Sequence, residues 1–261
     1  MRILITFAVD EEFAPWRKMR HFRFIDYDGL RLWKTTSAEA EITALVTGMG
    51  TQAAAHAMGL MMSMADENRY FDICISSGLA GALKQGLKPG DVIAPQMLVA
   101  ERIHADLSSD QLSVDDDLRT RALAAGAICS DCLFTTEKVL VKAQQKQTCA
   151  SRAQSVDMES FEIVKEAKAW GARAVVLRAI SDLAEEDLPI DFNRTISKEN
   201  QISVGKVMIE LAKNPFVLPR LVRFGKQSRY ATQRLATFLD GYVQALSALD
   251  PGSLKQEAAA R

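Results

Sequence analysis

The chain has 261 residues, of which 48% are hydrophobic and 25% charged, a composition typical of a soluble globular protein. Its 32 basic and 33 acidic side chains nearly cancel, which argues against a nucleic-acid-binding protein. No apolar run reaches the roughly 20 residues of a membrane helix, and no signal peptide is recognisable, so we expect a cytoplasmic protein.

Strand-like and helical patterns alternate along most of the chain. Apolar runs typical of covered strands occur at Arg2–Val9, Leu30–Thr36, Ile42–Thr47, Ile73–Ser77, Val92–Ala100, Ala127–Phe134 and Arg173–Ile180. Helical patterns occur at Thr51–Ala65, Asp115–Ala125 and Phe161–Trp170. The alternation predicts an α/β fold, a three-layer sandwich around a mixed central sheet, over residues 1–213.

The C-terminal part has a different pattern. A helix is predicted at Ile202–Leu211, and Asn214-Pro215 interrupts the chain before a basic amphipathic segment, Leu218–Leu246. We interpret residues 214–250 as a helical extension and 251–261 as a disordered tail. The basic helix either packs by its apolar stripe with solvated cations outside, or rests on an anionic membrane surface.

The cysteines and histidines do not predict a metal site. Cys129 and Cys132 form a CxxC pair, but the chain has no second such pair and no histidine nearby to complete a zinc set. His21, His56 and His104 are scattered. Packed thiols or reduced surface thiols are the favoured interpretation, with a redox or metal role as the alternative.

Several short segments could carry chemistry, because they follow strands where ligands of open α/β sheets bind. Asp10-Glu11-Glu12 could supply a base or could simply favour a helix N-terminus. The segments Thr47–Thr51 and Ser76–Gly81 are predicted glycine-rich loops, which permit close approach to a ligand or merely satisfy turn geometry.

Two acidic segments complete the set. Ser155–Ser160 places Asp157 and Glu159 two residues apart, and a carboxylate there could accept hydrogen bonds from two ribose hydroxyls. Asp157 could instead cap the following helix. A strand with the apolar pattern of a buried element ends in Ser181-Asp182. Asp182 at this position could be a catalytic acid or could cap a helix or turn.

Taken together, these segments resemble the nucleoside phosphorylase family and its nucleosidase branch, typified by methylthioadenosine/S-adenosylhomocysteine nucleosidases. The resemblance spans residues 1–185 and is carried by Glu12, the Thr47–Gly50 and Ser77–Gly81 segments, and the pairing of Val156–Glu159 with Arg178–Asp182. It implies cleavage of the N-glycosidic bond of a purine, adenine-type nucleoside, without a metal or cofactor, by a homo-oligomer.

The resemblance also implies roles for single residues. Glu12 would activate the attacking water, and Asp182 would protonate N7 of the base, with Ser181 steadying it. For Asp182 to carry that proton, burial would have to raise its pKa. The other implied site residues are Met158 and Glu159 at the ribose, Val139 and Leu140 at the base, and Gly48, Met49, Gly50, Gly78, Leu79 and Ala80 in the pocket loops.

Some positions depart from the branch. Leu79 stands where Ser or Gly is common, Ser160 stands where Gly or Ala is usual, and the aromatic residue expected near Val139 is missing. These departures leave the exact substrate open.

Three alternatives stay open at this point. Inorganic phosphate could replace water as co-substrate, with Arg17, Arg20 or Arg102 near it, although Glu12 would repel phosphate. The Lys213–Leu246 segment resembles the C-terminal part of the hopanoid-associated branch, which implies an adenosyl-lipid substrate and a membrane-surface partner. The chain could also be a nucleoside-binding module without activity.

Overall fold

The structure is a computed structural model that describes residues 1–27, 29–63, 71–100, 111–197, 200 and 203–248. Its strands are β1 (Arg2–Phe7), β2 (Arg23–Tyr27), β3 (Leu30–Ser37), β4 (Ala40–Val46), β5 (Ile73–Ala82), β6 (Val92–Ala100), β7 (Gln111–Ser113), β8 (Ile128–Thr135), β9 (Ser155–Asp157) and β10 (Arg173–Asp182). Its α-helices are α1 (Asp10–Arg17), α2 (Thr51–Ser63), α3 (Asp116–Ala124), α4 (Ala143–Cys149), α5 (Ser160–Ala169), α6 (Val204–Lys213) and α7 (Leu218–Ser247). Short 3-10 turns lie at Phe192–Arg194 and Pro215–Val217.

The predicted α/β fold with a mixed central sheet is confirmed. β1 pairs in parallel with β4 and β5, whereas β2, β3 and β4 pair antiparallel. Successive side chains of β1 enter different cores: Ile3 and Ile5 pack with α7, and Leu4 packs with α2 and α5. This period of two places a helical layer on each face of the sheet.

Five strands also close into a ring, which the sequence did not predict. β5 pairs with β10, β10 with β6, β6 with β8, β8 with β9, and β9 returns to β5. The three-residue strand β9 completes the ring through the pairs Gly81↔Val156 and Leu133↔Ser155.

The prediction of a glycine-rich loop at Ser76–Gly81 is wrong. β5 continues through this segment to Ala82 and pairs with β10 from Ile73 to Gly81. The glycines serve close packing inside the sheet: a Cβ at Gly81 would lie 3.0 Å from Asp182 Oδ2. Because glycine has no side chain, the strand can continue at Gly81 and still leave room for the Asp182 carboxyl group.

Helix α7 has two different halves. From Ala231 onward it contributes buried side chains such as Leu235 and Tyr242 to the core, whereas its residues up to Tyr230 contribute none that is fully buried. None of the helices in the described ranges is long and apolar enough to cross a membrane. Arg102, His104 and the tail 251–261 lie outside the described residues, as does Ile202, the first residue of the predicted helix Ile202–Leu211.

Candidate active site

A cavity of about 1070 Å³ lies over the carboxyl ends of β1 and β10 and between α1 and α7. Most of the predicted site residues line it: Glu12, Met49, Leu79, Ala80, Val139, Leu140, Met158, Glu159, Ser181 and Asp182. Three predicted pocket glycines, Gly48, Gly50 and Gly78, are not among the lining residues. They shape the loops and strand behind the wall instead.

Glu12 is anchored in the wall by the backbone. It is 7% exposed, and its carboxylate accepts hydrogen bonds from Ala8 N at 2.9 Å and Leu79 N at 2.8 Å. Burial raises the pKa of Glu12, against the opposing effects of Arg178 and of these backbone N–H groups. An oriented carboxylate with a raised pKa is suited to accept a proton.

Arg178 lies at the centre of the acidic cluster, and sequence reasoning assigned it no role. Its guanidinium is fully buried and forms ion pairs with Asp157 Oδ2 at 2.7 Å and Glu159 Oε2 at 3.7 Å. It also donates to Ser160 Oγ at 3.0 Å and Ser76 Oγ at 3.3 Å. An arginine inside an otherwise apolar strand was the sequence feature that could have identified it, because such a charge needs buried partners.

Asp157 has a structural task. Its side chain accepts hydrogen bonds from Thr135 Oγ1 at 2.7 Å and from the Ser160 backbone N at 3.0 Å, at the start of α5. Asp157 thus satisfies the first backbone N–H group of α5, although Glu159 and not Asp157 occupies the N-cap position. Asp157 also holds Arg178 in position, and Ser160 adds an acceptor for Arg178 that Gly or Ala would lack.

Glu159 is held between a loop and Arg178. It is 5% exposed, and its Oε1 accepts a hydrogen bond from Gly50 N at 2.9 Å. Burial, together with the nearby Asp157 and Glu12, raises the pKa of Glu159 to about 8, although Arg178 opposes the shift. Arg178 supplies one positive charge against three carboxylates, so we infer that one proton stays on the Glu12–Glu159 pair near neutral pH.

Gly78 makes this packing possible. It has a φ of +145°, and a Cβ there would lie 2.4 Å from Arg178 Nη1 and 2.8 Å from Glu12 Oε2. No side chain fits at this position without displacing one of the two charged groups. Glu12 and Arg178 can therefore flank β5 only because residue 78 is glycine.

Asp182 has a buried cation beside it, which the sequence did not predict. Its Oδ2 accepts from the Lys146 ammonium and its Oδ1 from Ser181 Oγ. Lys146 is 1% exposed and also donates to the carbonyl oxygens of Leu183 at 2.7 Å and Glu186 at 3.1 Å. The carboxyl group that we expected to be isolated by burial is instead half of a buried ion pair.

Val139 and Leu140 line the cavity together with Lys146; that they bind the base stays a prediction. Asn193 fixes this stretch, because its side chain bonds both the backbone N of Val139 at 2.8 Å and its carbonyl O at 3.0 Å. The apolar wall continues through Leu188, Phe192, Val207, Leu221 and Phe224. This part of the cavity offers contact surface for a large apolar group.

The arginines considered for phosphate binding face elsewhere. Arg20 forms an ion pair with Asp240 of α7, and Arg17 lies over the rings of Phe13 and Trp33. Neither arginine lines the cavity, and Arg102 lies outside the described residues. The CxxC cysteines are free thiols.

The fold resembles solved nucleosidases. The chain superposes on the native futalosine hydrolase of Helicobacter pylori strain 26695 with a TM-score of 0.71 and 18% sequence identity. The superposition covers 94% of this chain and 98% of the hydrolase chain. A 5′-methylthioadenosine/S-adenosylhomocysteine nucleosidase of Helicobacter pylori, complexed with a pyrrolo[3,2-d]pyrimidine compound, gives the same coverages, TM-score and identity. The corresponding nucleosidase of Campylobacter jejuni gives a TM-score of 0.71 at 16% identity, with 94% and 99% coverage.

At these identities the superpositions establish the fold, and the sequence establishes the family. Residues 2–213 match the phosphorylase superfamily. The match includes all ten strands of the described residues, the acidic cluster around Arg178 and the Lys146–Asp182 pair. This chain therefore belongs to the phosphorylase superfamily of enzymes.

Proposed function

We propose that the protein hydrolyses the N-glycosidic bond of a purine nucleoside with an adenine-type base. The observation that carries this proposal is that Glu12, Glu159 and Asp182, which come from three separate elements, all line one cavity. Their surroundings divide into an acidic sugar side around Arg178 and a base side around Lys146. Hydrolysis of an N-glycosidic bond needs a water-activating group on the sugar side and a proton source on the base side.

On the sugar side, Glu159 accepts hydrogen bonds from the ribose 2′- and 3′-hydroxyls, and Met158 contacts the apolar face of the sugar. Glu12 takes a proton from water as the water oxygen bonds to C1′. The bond between C1′ and the base breaks, and its electron pair leaves with the base. The proton held by the Glu12–Glu159 pair resides on Glu159 in this step, because Glu12 must be ionised to act as the base.

On the base side, Asp182 transfers a proton to N7 of the departing base. The Lys146 ammonium beside Asp182 supplies that proton, since transfer within the pair converts the carboxylate into a neutral acid. Lys146 is then reprotonated from solvent and Glu12 releases its proton to solvent, which returns both groups to their starting states. Val139 and Leu140 contact the base, and Ser181 orients the carboxyl group.

The test is release of free adenine from adenosine and 5′-methylthioadenosine in phosphate-free buffer, followed by chromatography. Hydrolysis predicts free sugar as the second product and no stimulation by phosphate. A strict need for phosphate, with sugar 1-phosphate as product, would establish the phosphorylase alternative. Tight adenosine binding without base release would establish a binding module.

A second candidate substrate is an adenine nucleoside whose 5′ carbon bears a lipid. The observation that favours it is the apolar wall formed by Leu188, Phe192, Val207, Leu221 and Phe224. Pockets for drug-sized ligands have volumes of roughly 300–1,000 Å³, so a cavity of about 1070 Å³ is larger than a plain nucleoside needs. Competition assays with 5′-alkylthioadenosines of increasing chain length test this candidate, which predicts affinity that rises with length.

A further inference from the structure

The helical segment 204–230 comprises α6, the turn Pro215–Val217 and the first part of α7. It exposes a set of large apolar side chains: Val204, Met208, Ile209, Phe216, Leu218, Val222 and Tyr230. Phe216 is 89% exposed and Val204 75%. Scattered apolar residues are normal on protein surfaces, but so many in one short segment indicate an interaction site.

These side chains are not needed to hold the segment on the protein. A different set, including Val207, Leu221 and Phe224, packs against Leu188 and Phe192 and lines the cavity. Val204 and Met208 lie one turn apart on α6, outside that packed set. The segment thus has one apolar face that forms the cavity wall and further apolar side chains that face solvent.

The segment is also strongly basic compared with the rest of the chain. Residues 204–230 contain six cations, Lys206, Lys213, Arg220, Arg223, Lys226 and Arg229, against the single acid Glu210, a net charge of +5. The whole chain has a net charge of −1, so the remainder carries −6. Arg223 and Lys213 reach neighbouring acids, Glu186 at 2.8 Å and Glu210 at 2.7 Å, and both cations stay largely exposed.

We propose that segment 204–230 docks the protein on an anionic membrane surface. Phe216, Met208 and Val204 enter the headgroup layer, and the cations lie over phospholipid phosphates. A second copy of this chain is a poorer occupant, because a two-fold symmetric contact would place +5 against +5. Docking would bring the cavity to the membrane, since α6 and α7 also form part of the cavity wall. The proposal does not depend on the reaction assigned above.

The experiment is co-sedimentation of the full chain with phosphatidylcholine vesicles, with and without phosphatidylglycerol, at low and high salt. We expect binding to the anionic vesicles, weakened by salt. Phe216→Ser should lower the partition coefficient about tenfold or more. Lys226→Glu should lower it about fivefold or more, because each cation near the surface contributes about 1 kcal/mol.

Matched controls separate docking from general surface effects. Tyr27→Ser removes an exposed aromatic on β2, and Lys84→Glu reverses an exposed charge outside the segment; neither should change binding. Circular dichroism checks that the variants fold. Wild-type protein that fails to bind anionic vesicles, or Phe216→Ser that binds equally well, overturns the proposal. So does light scattering in which Phe216→Ser converts a dimer into a monomer without vesicles.

Discussion

Lys146 of α4 and Asp182 at the end of β10 form a buried ion pair, and the ammonium also holds the carbonyl oxygens of Leu183 and Glu186. The lysine thus binds the acid and the chain that follows it. All three ammonium hydrogens have acceptors, so Lys146 has no capacity left for a ligand in this arrangement. Its action on the base must pass through Asp182.

Replacement of the lysine tests this relationship. Lys146→Met should lower kcat about 10²-fold or more, because the acid loses its proton source. It should also destabilise the protein by about 3 kcal/mol, because Asp182 is left without its cation. The measurements are adenine release at saturating substrate and urea unfolding.

Two further variants distinguish chemistry from packing. Lys142→Met, four residues earlier at an exposed ion pair with Asp187, should change neither quantity appreciably. Lys146→Met/Asp182→Asn should recover part of the lost stability and none of the activity. Full activity of Lys146→Met would exclude the lysine from proton transfer.

Glu12 is predicted to be the base that activates water. Glu12→Gln should lower kcat about 10²- to 10⁴-fold and leave KM nearly unchanged. Glu39→Gln, at an exposed position that does not line the cavity, is the control and should retain activity. Near-normal kcat in Glu12→Gln would remove this residue from the mechanism.

The raised pKa values of Glu12 and Glu159 predict a pH-dependent stability. Between pH 4.5 and about 8 the folded state binds more protons than the unfolded chain, so the free energy of unfolding should fall as pH rises through this window. Glu159→Gln removes one of these carboxyl groups. Its Tm should therefore exceed that of the wild type above pH 8, and the two should converge below pH 4.5.

Calorimetry across this pH range provides the measurement, with Glu39→Gln at an exposed position as the control. The control should follow the wild type at every pH. A constant Tm difference between Glu159→Gln and the wild type would contradict the assigned protonation.

Gly78 allows Glu12 and Arg178 to lie against β5. Gly78→Ala should unfold the site or displace Arg178, because its Cβ would lie 2.4 Å from Nη1. Gly86→Ala is a matched control, with φ at +103° and no atom within 4 Å of its Cβ. The control should cost about 1–3 kcal/mol of backbone strain and retain activity; comparable losses in both variants would mean that the close contact is unimportant.

Local patterns predicted the long elements well. The sequence bounds of β6 agree with the structure, and those of α3 and α5 differ by one residue at each end. Short elements with few apolar residues were missed, among them β7, β9 and α4. Their positions depend on distant partners, as in β9, which has only three residues and pairs with β5 and β8.

The acids of the site could be predicted and their cations could not. Glu12, Glu159 and Asp182 follow recognisable strand patterns, whereas Lys146 occupies a short polar helix that has no distinctive spacing. Arg178 is in a predicted strand, but only the three-dimensional register places it between Asp157 and Glu159. The oligomeric state, the cellular location and the division at residue 213 stay predictions.

The ring of strands closed by β9 has a consequence for how activity arises during folding. Asp157 ends β9 and orients Arg178, yet β9 can pair only after β5 and β8, some 70 and 20 residues upstream, are already in place. Contacts between such distant parts of a chain form slowly. Refolding protein should regain its helical circular dichroism before it regains turnover, because turnover requires the closed ring of strands.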